Sequence, residues 1–209
     1  MPRVSEEYEQ TQKSRIITGA AQVFAERGYE QTTIDQIGQT LHLSKGAIYL
    51  YFKSKEELFV SVLQSIYTQR FTALSTAFQA DDPILVKFEK IIDRLSGLVD
   101  REDRLFIRLW IEGFLESERM PTLQAIKTES RKQFHDLLCG LLLEGQRAGV
   151  VSSSLDPSAT AETLMALSDG FMLHSLVEGW EINPARLRSI FRSGLPELIP
   201  HGQGSSGQA

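Results

Sequence analysis

The chain has 209 residues, 42% hydrophobic and 23% charged, an ordinary globular composition that can fill one sizeable core or two modest domains. Its net charge of −5 argues against a general nucleic-acid coat protein, so any nucleic-acid footprint must be local. No run approaches the ~18 apolar residues of a membrane span, the opening "MPRVSEEYEQTQKSR" has no signal-peptide core, and Cys139 as the only cysteine rules out an intrachain disulfide. The expectation is a cytoplasmic protein with no membrane partner.

The pattern predicts helices throughout, at about 8–27, 33–41, 44–51, 55–79, 83–99, 103–117, 121–148, 157–179 and 184–193. Starts are marked by Asp82-Pro83, Asp156-Pro157 and Asn183-Pro184, where a short polar side chain caps free N–H groups and Pro fits the first helical position. Thr33 with Gln36 and Ser54 with Glu57 have the spacing of capping boxes. Gly28, Gly149 and Gly194 supply stops. No β-alternation or internal repeat is present, and the fold class is all-α with about nine helices. The Gly/Ser-rich tail 201–209 is expected to be disordered.

Ile16, Ala20, Val23 and Phe24 of helix one, Ile34, Ile37 and Leu41 of helix two, and Ile48 and Phe52 of helix three predict a small three-helix core. Only His42-Leu43 separates helix two from the cap Ser44, the tight join of a helix-turn-helix. Residues 1–60 carry seven Lys or Arg and eight Asp or Glu, whereas 44–55 carry three lysines and no acid. On a helical wheel Ile48 and Phe52 point inward together, which puts Gly46, Ala47 and Leu50 on the far side, with Tyr49 and Tyr51 on the flanks. Lysines and tyrosine hydroxyls suit phosphates, a leucine suits a thymine methyl, and Gly46 lets backbone approach DNA. Free N–H groups at Ser54-Lys55, opening helix four, suit a phosphate as well.

The stretch "GAAQVFAERGYEQTTIDQIGQTLHLSKGAIYLYFKSKEELF" resembles the DNA-binding region of the TetR/AcrR family of transcriptional regulators, over about residues 14–60. F-x-x-x-G-Y, T-T-x-x-x-I, S-K-G-x-x-Y and Y-x-F-x-S-K-E-x-L stand in the family's order and spacing. Position by position the resemblance implicates Thr33, Ser44, Lys45, Gly46, Ala47, Tyr49, Tyr51 and Lys55 in DNA contact; Leu50 joins them from the wheel alone. The chain departs from the family in two places: His42 stands where the turn commonly carries Gly, and Tyr51 where His is frequent.

The resemblance further implies a C-terminal domain that encloses a small-molecule effector and dimerises through its last two long helices. The bulky residues Phe106, Trp110, Phe114, Leu138, Met165, Phe171 and Met172 are the candidates for an effector pocket, although such a stripe is equally what a core needs. Helix eight is apolar nearly all round, so it needs two partners. Leu167, Gly170, Leu173, His174 and Val177, with Leu187, Ile190 and Phe191 of helix nine, are the candidates for a homodimer interface. Glu112, Asp169 and His174 stand out as polar residues in apolar helices, able to orient a ligand, cap a hydrogen-bond network or face solvent.

His135 and Cys139 share a helix face without a third ligand, so no metal is expected; nor is any cofactor or catalytic activity. The domains are expected at 1–54 for DNA and 55–200 for effector and dimerisation. The expected function is a ligand-responsive regulator, a repressor of a palindromic double-stranded operator. An activator, or a helical interaction module of the same fold, is the alternative.

Overall fold

The structure, a computed structural model, describes residues 6–97 and 103–178. They form α1 (Glu6–Arg27), α2 (Ile34–Leu41), α3 (Lys45–Tyr49), α4 (Lys55–Ser75), α5 (Ile84–Gly97), α6 (Asp103–Glu116), α7 (Pro121–Arg147) and α8 (Pro157–Glu178), with no strand among the described residues. The predicted ninth helix and the tail 201–209 lie outside the described residues.

The punctuation acts largely as its chemistry suggests. Thr33 and Gln36 form a reciprocal capping box, with Gln36 N–H donating to Thr33 Oγ1 at 3.3 Å and Thr33 N–H to Gln36 Oε1 at 2.9 Å. Asp156 Oδ1 accepts from the N–H groups of Ser158 and Ala159 at 2.9 and 3.3 Å, capping α8. At Ser54 the box is altered: Glu57 N–H donates to Ser54 Oγ at 3.0 Å, but the Glu57 carboxylate reaches one residue further back, to Lys53 N–H at 2.6 Å.

Two expectations need correction. Asp82 does not cap α5. Pro83 takes the cap position, its carbonyl accepting from Val86 and Lys87 N–H. Asp82 lies one residue too early and turns its carboxylate to Gln79 N–H (2.8 Å) and Lys90 Nζ (2.6 Å). Helix α4 ends at Ser75 rather than near 79. There the hydroxyls of Ser75 and Thr76 both donate to the Thr72 carbonyl, which competes with continuation of the helix.

The chain packs as two units, 1–70 with 101–130, and 71–100 with 131–209. The first unites the three N-terminal helices with the first part of α4, α6 and the start of α7. Its core is Ile16, Val23, Phe24, Ile37, Ile48, Phe59 and Leu63, joined by Leu109, Met120 and Leu123. Gly113 makes this packing possible: a Cβ there would lie 2.8 Å from the Leu63 side chain, so α6 presses its backbone onto α4.

In the second unit Leu138, Leu142, Val151, Ala161, Leu164 and Met165 form one cluster and Leu74, Ile84, Ile91 and Leu141 another, with Phe88 and Phe134 packed against both. Lys87, 4% exposed, spends its ammonium on the Ala80 carbonyl and Glu144 Oε1, each at 2.7 Å. That pairing is what makes a buried cation tolerable.

Candidate DNA interface

The face is built by the turn between α2 and α3. His42 adopts the left-handed conformation (φ 55°, ψ 41°) that usually falls to Gly. Its N–H and that of Leu43 close the end of α2, Leu43 N–H donating to the Gly38 carbonyl at 2.8 Å. Gly38 is the residue this geometry requires: a Cβ there would sit 2.6 Å from the Leu43 carbonyl oxygen. Arg15 Nη2 donates to the Leu41 carbonyl at 3.1 Å, tying α1 to the same helix end. Ser44 then starts α3, its Oγ accepting from Ala47 N–H at 3.1 Å.

Ile48 and Phe52 are buried at 0% and 4%, and Leu50 is 81% exposed. The backbone stays helical through Leu50 (φ −66°, ψ −27°), so the wheel's orientation holds one residue past the end of α3. Thr33, Ser44, Lys45, Gly46 and Tyr49 are exposed with Leu50, while Ala47 and Tyr51 are half-buried and Tyr51 leans on the first unit's core. A Cβ on Gly46 would have Ser44 Oγ, at 3.9 Å, as its closest neighbour, so nothing within the fold asks for glycine there.

The three lysines are not equivalent. Lys53 is exposed. Lys55 turns inward: its ammonium donates to the Tyr29 carbonyl at 2.8 Å and lies 4.2 Å from the centre of the Tyr29 ring. Lys55 thereby ties the start of α4 to the turn after α1. Lys45 Nζ pairs with Asp35 Oδ2 at 3.0 Å, and this hydrogen bond holds the lysine's pKa above its ordinary value. Sequence reasoning missed Asp35 because it lies outside the acid-free window and reaches Lys45 only through the turn.

Tyr29 was also missed as a junction. It packs on Phe24 and Phe59, burial pushes its phenol pKa up, and its N–H donates to Glu112 Oε2 of α6 at 3.1 Å. Arg119 reaches Glu30 Oε1 at 3.3 Å and Arg108 reaches the Ala25 carbonyl at 3.5 Å. Helix α6, through Glu112 and Arg108, and the segment just after it, through Arg119, therefore hold the end of α1 and the turn that follows it, which gives Glu112 its role.

The remaining candidates divide between the units. Phe106, Trp110 and Phe114 belong to the first; Trp110 leans on its core, Phe106 carries the Arg70 guanidinium at 3.6 Å, and Phe114 is 56% exposed beneath Lys127. Leu138, Met165, Phe171 and Met172 belong to the second, and core packing accounts for Leu138, Met165 and Phe171. On α8, Leu167 leans on that core, Gly170 has no neighbour that a Cβ would meet, and Leu173 and His174 are exposed. The side chain of Val177, and Leu187, Ile190 and Phe191, lie outside the described residues. Asp169 pairs with Arg131 at 3.3 Å, and burial raises its pKa despite that partner. Cys139 lies 3.6 Å from His135 Nε2 and donates to the Pro157 carbonyl at 3.5 Å, and burial pushes its thiol pKa up.

Residues 16–62 match the family model for bacterial regulatory proteins of the tetR family, and residues 88–200 match that for the C-terminal part of BetI-type transcriptional repressors. The chain belongs to the tetR family. Among curated relatives, the uncharacterised regulator YuxN of Bacillus subtilis is 25% identical over 88% of the chain, which spans 62% of that protein. The repressor BepR of Brucella suis is 28% identical, the match covering 82% of this chain and 83% of the relative. The fatty acid metabolism regulator protein of Bacillus subtilis is 26% identical over 90% and 93%. Among solved structures, a transcriptional regulator from Saccharomonospora viridis in complex with choline superposes with a TM-score of 0.78 at 20% identity, over 91% of this chain and 98% of that one. This tetR-family chain is a DNA-binding, ligand-responsive transcriptional regulator of the repressor type, and no helix among its described residues is long and apolar enough to cross a membrane.

Proposed function

We propose that the chain works in the cytoplasm as a homodimer, with residues 1–54 reading a palindromic operator and residues 55–200 holding a small hydrophobic or amphipathic effector that releases it. The carrying observation is Leu50, 81% exposed on a helix anchored by Ile48 and Phe52, with Tyr49 beside it. An apolar side chain so placed suits a thymine methyl in the major groove, while Lys45 and Tyr49 suit phosphates. Two such helices one DNA turn apart, ~34–36 Å, read the two halves of a palindrome. The grip of α6 on Tyr29 through Glu112 supports a route by which an effector that shifts α6 tilts the reading head. Moving the protein from mostly bound to mostly free requires the effector to favour one state by a few kcal/mol, about 5 for a complete switch. The choline seen with the Saccharomonospora regulator makes a small amphipathic cation one ligand class to screen.

Gel-shift titration on the DNA upstream of its own gene tests the reading. Lys45→Ala with Tyr49→Ala is expected to lower affinity roughly 100-fold and flatten the salt dependence, with the fold intact. Wild-type binding with no sequence preference and no salt sensitivity would overturn it.

A further inference from the structure

The acid-free window 44–55 has an acid in space: Asp35 lies 3.0 Å from the ammonium of Lys45. Both side chains are more than half exposed, and an exposed ion pair adds little to stability. Asp35 stands in the first turn of α2, where a carboxylate suits the positive helix end, but the capping hydrogen bonds there are made by Thr33 and Gln36, and the Asp35 carboxylate turns to Lys45 instead. With Lys55 turned onto Tyr29, the pairing of Lys45 leaves Lys53 as the one of the three lysines whose ammonium has no carboxylate or carbonyl partner among the described residues.

The geometry points to Asp35 as a specificity-determining residue that screens Lys45 from DNA in general and yields it at the operator. The inference rests on Lys45 belonging to the DNA-reading face. In a loose, non-specific complex the phosphates stand beyond direct contact. A lysine already matched by a carboxylate then presents a dipole, whose attraction falls off faster than that of a bare charge. Non-specific affinity is almost wholly electrostatic, so this matching removes one of its few sources. In the close-docked operator complex an acceptor oxygen can take the place of the Asp35 carboxylate at contact distance, and the lysine is used in full. The pair thus lowers affinity for arbitrary sequence more than for the correct one, which is where specificity lies.

Asp35→Asn keeps the shape and removes the charge. Fluorescence anisotropy with two duplexes, one of random sequence and one from upstream of the chain's own gene, tests the inference. Asp35→Asn is expected to tighten random-sequence binding roughly threefold to tenfold. Its salt slope should steepen by up to about 0.9, with a smaller gain on the second duplex. The gain should vanish in the Lys45→Ala background and be absent from Glu118→Gln, which removes the same charge outside the helix-turn-helix. No gain on random DNA, an equal or larger gain on the second duplex, or a gain that survives Lys45→Ala overturns the inference. If Lys45→Ala alone changes nothing, its place on the DNA-reading face falls too; if it weakens binding while Asp35→Asn is silent, only the screening role falls.

Discussion

Leu50, the cap that ends α3, and Leu173 of α8 are both exposed, at 81% and 47%, yet the two arise differently. Helix α3 is five residues long, capped by Ser44 and anchored by the buried Ile48, with Phe52 buried just beyond its end. With Ile48 and Phe52 both inward it has one orientation, so an outward leucine is dictated by its neighbours in sequence. Helix α8 has 22 residues and is apolar on nearly every side. Ala161, Leu164, Met165 and Met172 are buried, and Leu167 and Phe171 are half-buried. Which side becomes core depends on what packs there. Exposure of an apolar residue therefore carries functional information where local rules leave no other place for it, and much less where the whole helix is apolar.

The largest effect expected from this contrast is in the second unit's core. Leu142→Ala, at a fully buried site, is expected to cost about 2–5 kcal/mol in urea unfolding. Leu173→Ala is expected to cost the folded chain under about 0.5 kcal/mol and to show instead as a lower apparent mass in size-exclusion chromatography, if α8 meets a second copy. A large loss of chain stability at Leu173 would place it in the core and break the comparison.

A smaller pair sharpens the same distinction in the reading head. Gly38→Ala drives a Cβ against a backbone carbonyl and is expected to destabilise by about 1–3 kcal/mol and abolish DNA binding with it. Gly46→Ala meets open space on a helix, so stability should hold or rise by up to about 1 kcal/mol while operator affinity falls. Thermal melts and anisotropy on the same samples separate the two glycines. The smallest effect is at the turn: His42→Gly relieves a left-handed side chain and is expected to add about 0.5–1 kcal/mol, with operator affinity unchanged.

Most of the reading head was legible in sequence because its rules are local. Caps, the short join at His42-Leu43 and the inward pair Ile48 and Phe52 act over four or five residues, so spacing alone places Tyr49 and Leu50 outside. Asp82 was misread for a local reason too: a cap one residue along, at Pro83, leaves the carboxylate free to meet Lys90. What failed were contacts across many residues. Asp35 with Lys45, Lys55 with Tyr29 and Tyr29 with Glu112 each join side chains from different elements, and no periodicity announces them.

By itself, then, the sequence determined the all-helical class, the helix-turn-helix and the outward face of α3, since hydrogen-bond caps and the 3.6-residue period are written into neighbouring positions. Tertiary structure alone decided that α6 shares a core with α1 to α4, through the bare backbone of Gly113 against Leu63 of α4. It also decided which lysine faces outward unpaired, because charge in a window of sequence becomes charge on a surface only after distant acids and carbonyls have taken their share.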